Sequence, residues 1–127
     1  MMAYKHEDLT RRVIEIFYRV YNTLGYGFLE KVYENALVIE FRNSGLEAKP
    51  QAPIKVVYDQ QIIGEYFVDI LVEDCVIVEI KAVRFLVKEH EAQLLNYLKA
   101  SQMEVGLIFN FGPKPEIKRK VFDNHRK

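Results

Sequence analysis

The sequence predicts an α/β domain with an α+β-like mixed sheet, and three observations carry that prediction. Two segments with helical spacing of apolar residues come first, and three β-branched extended segments follow in succession. A further helical segment then separates the third extended segment from a fourth that is almost wholly apolar. Period and composition of this kind distinguish helix from strand before any tertiary contact is known.

Over 7–22 apolar residues recur at Leu9, Val13, Ile16, Phe17 and Val20, with Arg11, Arg12, Glu15 and Arg19 on the wet side. That is an amphipathic helix with one buried stripe. Leu24-Gly25-Tyr26-Gly27 stops it, glycine being both a poor helix former and a common residue just past a helix end. A second helix is predicted over 28–43. Phe28, Leu29, Val32, Tyr33, Ala36, Leu37, Ile39 and Phe41 make it apolar around much of its circumference, as expected for an element packed on more than one side. Glu30 lies on the side of Tyr33, Glu34 and Leu37. Taken alone it reads as a first-turn Glu favoured by the helix dipole.

Ser44-Gly45 ends this helix, and Pro50 and Pro53 bracket a short extended approach to the sheet. A strand is predicted over 54–58 with a turn at 59–61. The next strand starts at Ile62, carries Gly64 as the mark of a bulge, and runs into a hairpin over 68–81. Two β-branched runs flank the polar pair Glu73-Asp74 there. The odd feature is charge inside the apolar runs: Asp69 in the first strand, Glu79 and Lys81 in the second. Glu79 and Lys81, two apart, share one face at about 6.6 Å spacing.

Asp69 joins them in one register only. A two-residue turn pairing Val72 with Cys75 would set Asp69 opposite Val78 and on the other face. A three-residue connection or a bulge pairs Val72 with Val76 and sets Asp69 opposite Glu79. The second register is the predicted one, because an Asp and a Glu side by side with the Ile80 backbone carbonyl make a hard oxygen site suited to Mg²⁺ or Mn²⁺.

After Ala82 a polar break leads to a helix from Lys88, with Leu94, Leu95 and Leu98 on its apolar side and His90, Gln93 and Tyr97 along the opposite edge. The run 105–111 is too apolar for an edge strand and reads as buried; a helix precedes it, so a parallel crossover to the strand at 76–80 is the economical topology. Ile117, Val121 and Phe122 suggest a short final strand or a docked turn.

At 127 residues the chain has the length of one domain, with 18 basic and 18 acidic residues giving no global pull toward nucleic acid or an anionic membrane. From Pro113 onward the balance is basic, Lys114, Lys118, Arg119, Lys120, Arg126 and Lys127 against Glu116 and Asp123. Cys75 is the single cysteine, which excludes an intrachain disulfide and a cysteine-rich zinc site. It reads as a packing residue near the hairpin tip. His6, His90 and His125 have no metal-ligand spacing. No apolar run approaches bilayer length and the start lacks the apolar core of a secretion signal, so no membrane is expected and the expected location is cytoplasmic.

Asp69 followed by Glu79-Ile80-Lys81 resembles the signature of the PD-(D/E)xK nuclease superfamily, and Gly27-Phe28-Leu29-Glu30-Lys31-Val32-Tyr33 resembles the motif of the GxxExxY protein family placed within it. The resemblance covers nearly the whole chain. One departure is that Val68 rather than proline precedes Asp69, at a position that does not bind metal. The resemblance implies a restriction-endonuclease-like αβββαβ core with an extra N-terminal helix. It also implies a metal-dependent nuclease hydrolysing phosphodiester bonds, with DNA expected ahead of RNA; the neutral overall charge and a core too small to encircle a duplex add a homodimer or protein partner as a further expectation. Asp69, Glu79 and the Ile80 carbonyl would hold Mg²⁺ or Mn²⁺, and Lys81 would orient the attacking water or steady the phosphate charge. Glu30 would be an additional acid beside the metal, Gln93 would support the lysine or contact the phosphate together with Tyr97, and Tyr33 would pack against the site. The alternative is a catalytically silent nuclease-fold module that binds nucleic acid or a protein partner.

Overall fold

The computed structural model describes residues 6–127, so the reading of the chain's first five residues lies outside the described residues. Helix α1 (Glu7–Leu24) buries Val13, Ile16, Phe17 and Val20, the stripe that the spacing predicts. Helix α2 (Glu30–Asn43) starts two residues later than the sequence suggests: Phe28 and Leu29 belong to the loop before it and are exposed.

Five strands form one sheet in sequence order: β1 (Ala48–Tyr58), β2 (Gln61–Val72), β3 (Val76–Lys81), β4 (Val105–Phe111) and β5 (Pro115–Val121). Helix α3 (Lys88–Ala100) links β3 to β4, which run parallel with Glu79 beside Ile108; the other neighbours are antiparallel. This is the mixed sheet and crossover that the sequence predicts. β1 is longer than the predicted 54–58 segment and includes Pro50 and Pro53, which an edge strand tolerates because its outer N–H groups have no partner strand. The bulge lies where Gly64 marks it, since Val56 pairs with Gly64 but Val57 pairs with Ile62, leaving Ile63 as the extra residue. Of the short strand or docked turn expected around Ile117 and Val121, the structure has the strand, an edge strand over residues 115–121 of the basic C-terminal segment.

Apolar side chains cover both faces of the sheet. On one face α1 and α2 pack over Ile70, Val72, Val76, Val78, Ile80, Leu107 and Phe109. Phe17 stacks on Phe109 at 4.4 Å and Tyr33 on Phe111 at 3.9 Å between centroids, contacts worth roughly 0.5–1.5 kcal/mol each beyond their area. On the other face Leu94, Tyr97 and Leu98 of α3 pack over Ala52, Ile54, Val68, Ile77 and Ile108.

The segment between β3 and α3 is pinned to the end of β4. Asn110, fully buried beside Lys81 in the ladder, accepts from Val83 N at 3.0 Å and donates to Val83 O at 3.0 Å and to Glu116 at 2.8 Å. Gly112 lies so close that an added Cβ would stand 2.3 Å from the Val83 carbonyl oxygen. Gly112→Ala is therefore expected to cost about 1–3 kcal/mol, the range for overpacking, in urea unfolding. An unchanged unfolding midpoint would show that the 82–87 segment can move aside.

Candidate functional site

The β2–β3 ladder pairs Val72 with Val76, Leu71 with Ile77 and Ile70 with Val78, and stops there. Glu73 and Asp74 in the connection both have left-handed backbone (φ 54° and 50°), and Cys75 N donates to Val72 O at 2.9 Å, which produces the longer connection and sets the register. One residue beyond the last pair, side chains replace the ladder. Asp69 N donates to Glu79 Oε2 at 2.8 Å, and Ile80 N donates to Asp69 Oδ2 at 2.7 Å. Each carboxyl thus spends one oxygen on the backbone of the opposite strand and keeps its second.

The strands also change face at this point. Ala48, Ile70 and Val72 belong to the core under α1 and α2, whereas Ala52, Ile54 and Val68 belong to the core under α3. Strict alternation would keep each strand's even-numbered residues together. The switch falls at Gln51 and Asp69. Gln51 has a left-handed φ of 53° inside a strand, a conformation that costs a non-glycine residue roughly 1 kcal/mol or more and tends to persist at functional sites. Its side-chain amide donates to Glu34 Oε1 at 2.7 Å, while Lys31 donates to Glu34 Oε2 at 2.6 Å. Glu34 is only 4% exposed.

Asp69, Glu79, Lys81, Gln93 and Tyr97 are brought together. Glu79, 5% exposed on a central strand, has its carboxyl pushed up to about 8, by burial first and then by the charge of Asp69. Asp69 is also raised, mainly by burial and further by the charge of Glu34, against the lowering effect of the Ile80 N–H. The two carboxyls are close enough to hydrogen-bond when one is protonated. Tyr97 is pushed up to about 12 by burial and then by Glu79 and Asp69, which places its hydroxyl in the field of the pair. Lys81 Nζ donates to Gln93 Oε1 at 3.4 Å, so α3 steadies the lysine.

Glu30 is not brought into this group. It is exposed in the first turn of α2 and lines a neighbouring cleft with Ala82 and Arg84. The α2 acid whose charge reaches Asp69 is Glu34, one turn later. Its signal was present in the sequence, since Glu34 falls inside the buried stripe Tyr33, Leu37, Val38 and Phe41. Asn110, the single polar side chain of β4, stands out in the same way within an otherwise apolar run. Tyr33 is fully buried; its hydroxyl donates to Gly25 O at 2.6 Å and accepts from Phe28 N at 3.2 Å, so it fixes the loop before α2.

The oxygen-only donor set of Asp69, Glu79 and a backbone carbonyl fits a hard divalent cation, and the upward shifts of both acids mark a pair short of positive charge. Among the described residues no three His, Cys, Asp or Glu side chains converge to hold a metal, so water or substrate oxygens would complete the coordination.

The sequence profile of the PD-(D/E)XK nuclease superfamily matches residues 7–120. No curated protein matches the chain. Among solved structures the fold is similar to that of SSO0001, known from its crystal structure, with a TM-score of 0.60 at 15% identity over 73% of this chain and 50% of that one. At that identity the likeness concerns the fold, and this chain spans about half the length of that protein.

The raised Glu79 carboxyl gives the metal-free protein a pH signature. The unfolded chain releases this proton near 4.5 and the folded chain keeps it to about 8, so Glu79 lowers stability progressively across that window and by a constant amount above it. In EDTA, Glu79→Gln is expected to melt several degrees above the wild type at pH 8.5 and at the same temperature near pH 4.5. A difference independent of pH would mean that Glu79 is not buried beside a second carboxyl.

Proposed function

Because the chain belongs to the PD-(D/E)XK nuclease superfamily, we propose that it is a metal-dependent nuclease hydrolysing phosphodiester bonds of nucleic acid. The observation that supports this most is the exchange of carboxyl–backbone bonds between Asp69 and Glu79–Ile80. It aims two carboxyls at one point beside the Lys81 ammonium. The two backbone bonds alone do not call for paired acids, because two buried acids destabilise one another unless a cation lies between them.

Asp69, Glu79 and the Ile80 carbonyl would hold Mg²⁺ or Mn²⁺, which when bound supplies charge neutralisation at the scissile phosphate and a more acidic water. Lys81 orients the attacking water and offsets negative charge developing on a nonbridging oxygen. Gln93 accepts from Lys81 and limits where its flexible stem can carry the ammonium. Tyr97 presents a hydroxyl that stays protonated at any physiological pH and serves as a neutral donor to a phosphate oxygen. Glu34, held by Gln51 and Lys31, adds negative potential behind Asp69 and takes the supporting place that the motif alone gave to Glu30. No helix among the described residues is long and apolar enough to cross a membrane.

Cleavage of labelled oligonucleotides in Mn²⁺ tests the reading. Asp69→Ala and Lys81→Ala should each lose at least about 100-fold in rate, the scale of removing one group that stabilises transition-state charge. Glu34→Gln should lose less, about tenfold. Wild-type rates in the Asp69 and Lys81 variants, or no cleavage by the wild type of single- or double-stranded DNA or RNA, would refute it.

A further inference from the structure

Next to the acid pair lies a cleft of about 600 Å³ whose walls are the loop before α2 and the segment that follows Lys81. Ala82, the residue after Lys81, lines it, and so does Glu30, one helical turn before Glu34, so the cleft adjoins the proposed active site. Its most unusual feature is exposed aromatic surface. Tyr26 is 62% exposed and Phe28 49% exposed on one wall, and Ala82, Val83 and Arg84 form the other. Arg84 and Pro113 are shared with an adjoining depression that is also lined by Phe85, 61% exposed, and Lys114.

These rings are presented on pinned backbone. The loop carrying Tyr26 and Phe28 is held at both ends by the Tyr33 hydroxyl, which bonds to Gly25 and Phe28. Gly27 between them has φ 110°, a conformation that other residues rarely adopt. The Phe28 ring meets Tyr33 edge-on at 6.0 Å. The opposite wall is clamped by Asn110 and by the close approach of Gly112 to Val83. Two rigid walls with half-exposed rings form a platform prepared before its ligand arrives, so little ordering entropy opposes binding.

Charge selects the occupant. Arg84 and Lys114 form no ion pair with any described residue; Arg84 lines the cleft with Glu30 as its acid, and Lys114 lines the adjoining depression with Glu116. A polyanion with accessible flat faces suits aromatic rings flanked by such cations. Paired and stacked bases of a duplex offer no such faces, and a chain of zero formal charge has little of the broad positive surface by which a duplex is gripped.

Resting on the nuclease reading above, we infer that the cleft is a base-stacking subsite that makes single-stranded nucleic acid the substrate class of this site. Bases flanking the scissile phosphate stack on Tyr26 and Phe28, and Arg84 and Lys114 contact the adjoining phosphates.

The experiment measures binding of a fluorescein-labelled oligothymidylate and of a duplex of the same length by anisotropy in EDTA, which separates binding from cleavage. The single strand should bind at least about tenfold more tightly than the duplex. Tyr26→Ala and Phe28→Ala should each weaken single-strand binding about tenfold, the effect typical of losing one stacked base. Tyr26→Phe should bind as the wild type does. The chain has no tryptophan, so Tyr26→Trp adds a lone reporter whose fluorescence the single strand should quench. Equal or tighter duplex binding, alanine variants that bind like the wild type, or no binding of either oligonucleotide would each overturn the inference; the last result would point the exposed rings toward a protein partner. If the single strand binds through these rings but is not cut in Mn²⁺, the nuclease reading fails while the stacking subsite stands.

Discussion

Where β2 and β3 part, two carboxyl groups take over the work of two ladder hydrogen bonds, and the organisation of the candidate site follows from that substitution. Asp69 and Glu79 hold the strands together through the opposite backbone and are therefore held themselves. A carboxyl fixed by a charge-assisted bond from a main-chain N–H has little freedom left. The cost is electrostatic: both groups are raised, Glu79 to about 8, because burial and mutual repulsion disfavour the second charge. The metal-free pair is thus proton-holding at neutral pH, and a divalent cation in the proton's place would relieve the repulsion.

The remaining architecture keeps that pair from relaxing. β3 is covered on both faces, so Glu79 cannot turn out to solvent without leaving the sheet. The parallel partner β4 fixes Lys81 beside Asn110, and Asn110 in turn ties down the segment beyond Lys81. From one side α3 supplies Gln93 and Tyr97; from the other α2 supplies Glu34 through Gln51. The stacked rings of Phe17, Phe109, Tyr33 and Phe111 anchor both N-terminal helices to β4. Stability and site geometry therefore rest on the same contacts.

The hairpin register was legible in the sequence because charges placed inside β-branched runs need a common reason, and only one register gives Asp69 and Glu79 a shared one. The parallel crossover was legible because a helix separates two apolar runs. The full length of β1 was not: Pro50 and Pro53 signal a break in any strand that must donate on both sides, and only the edge position excuses them. Ile117 and Val121 marked β5 as a short strand or a docked turn, and the pairing with β4 makes it a strand; that Lys120 pairs with Glu91 at 2.8 Å, a contact between distant segments, was not legible. The buried position of Glu34 was legible, but its partner was not. Helical periodicity shows which residues share a side but not that Gln51, on a distant strand, adopts a left-handed turn to reach that side.

Whether a divalent cation takes the place of the proton on this acid pair is tested, without any assumption about substrate, by calorimetric titration of the purified protein with Mn²⁺ at pH 7. Run in two buffers of different ionisation enthalpy beside an Asp69→Ala control, the wild type should bind one site and release up to about one proton, as expected when metal replaces the shared proton. The variant should bind at least tenfold more weakly. Absence of binding in the wild type, or binding that is indifferent to Asp69 and to the buffer, would show that the pair is not a cation site.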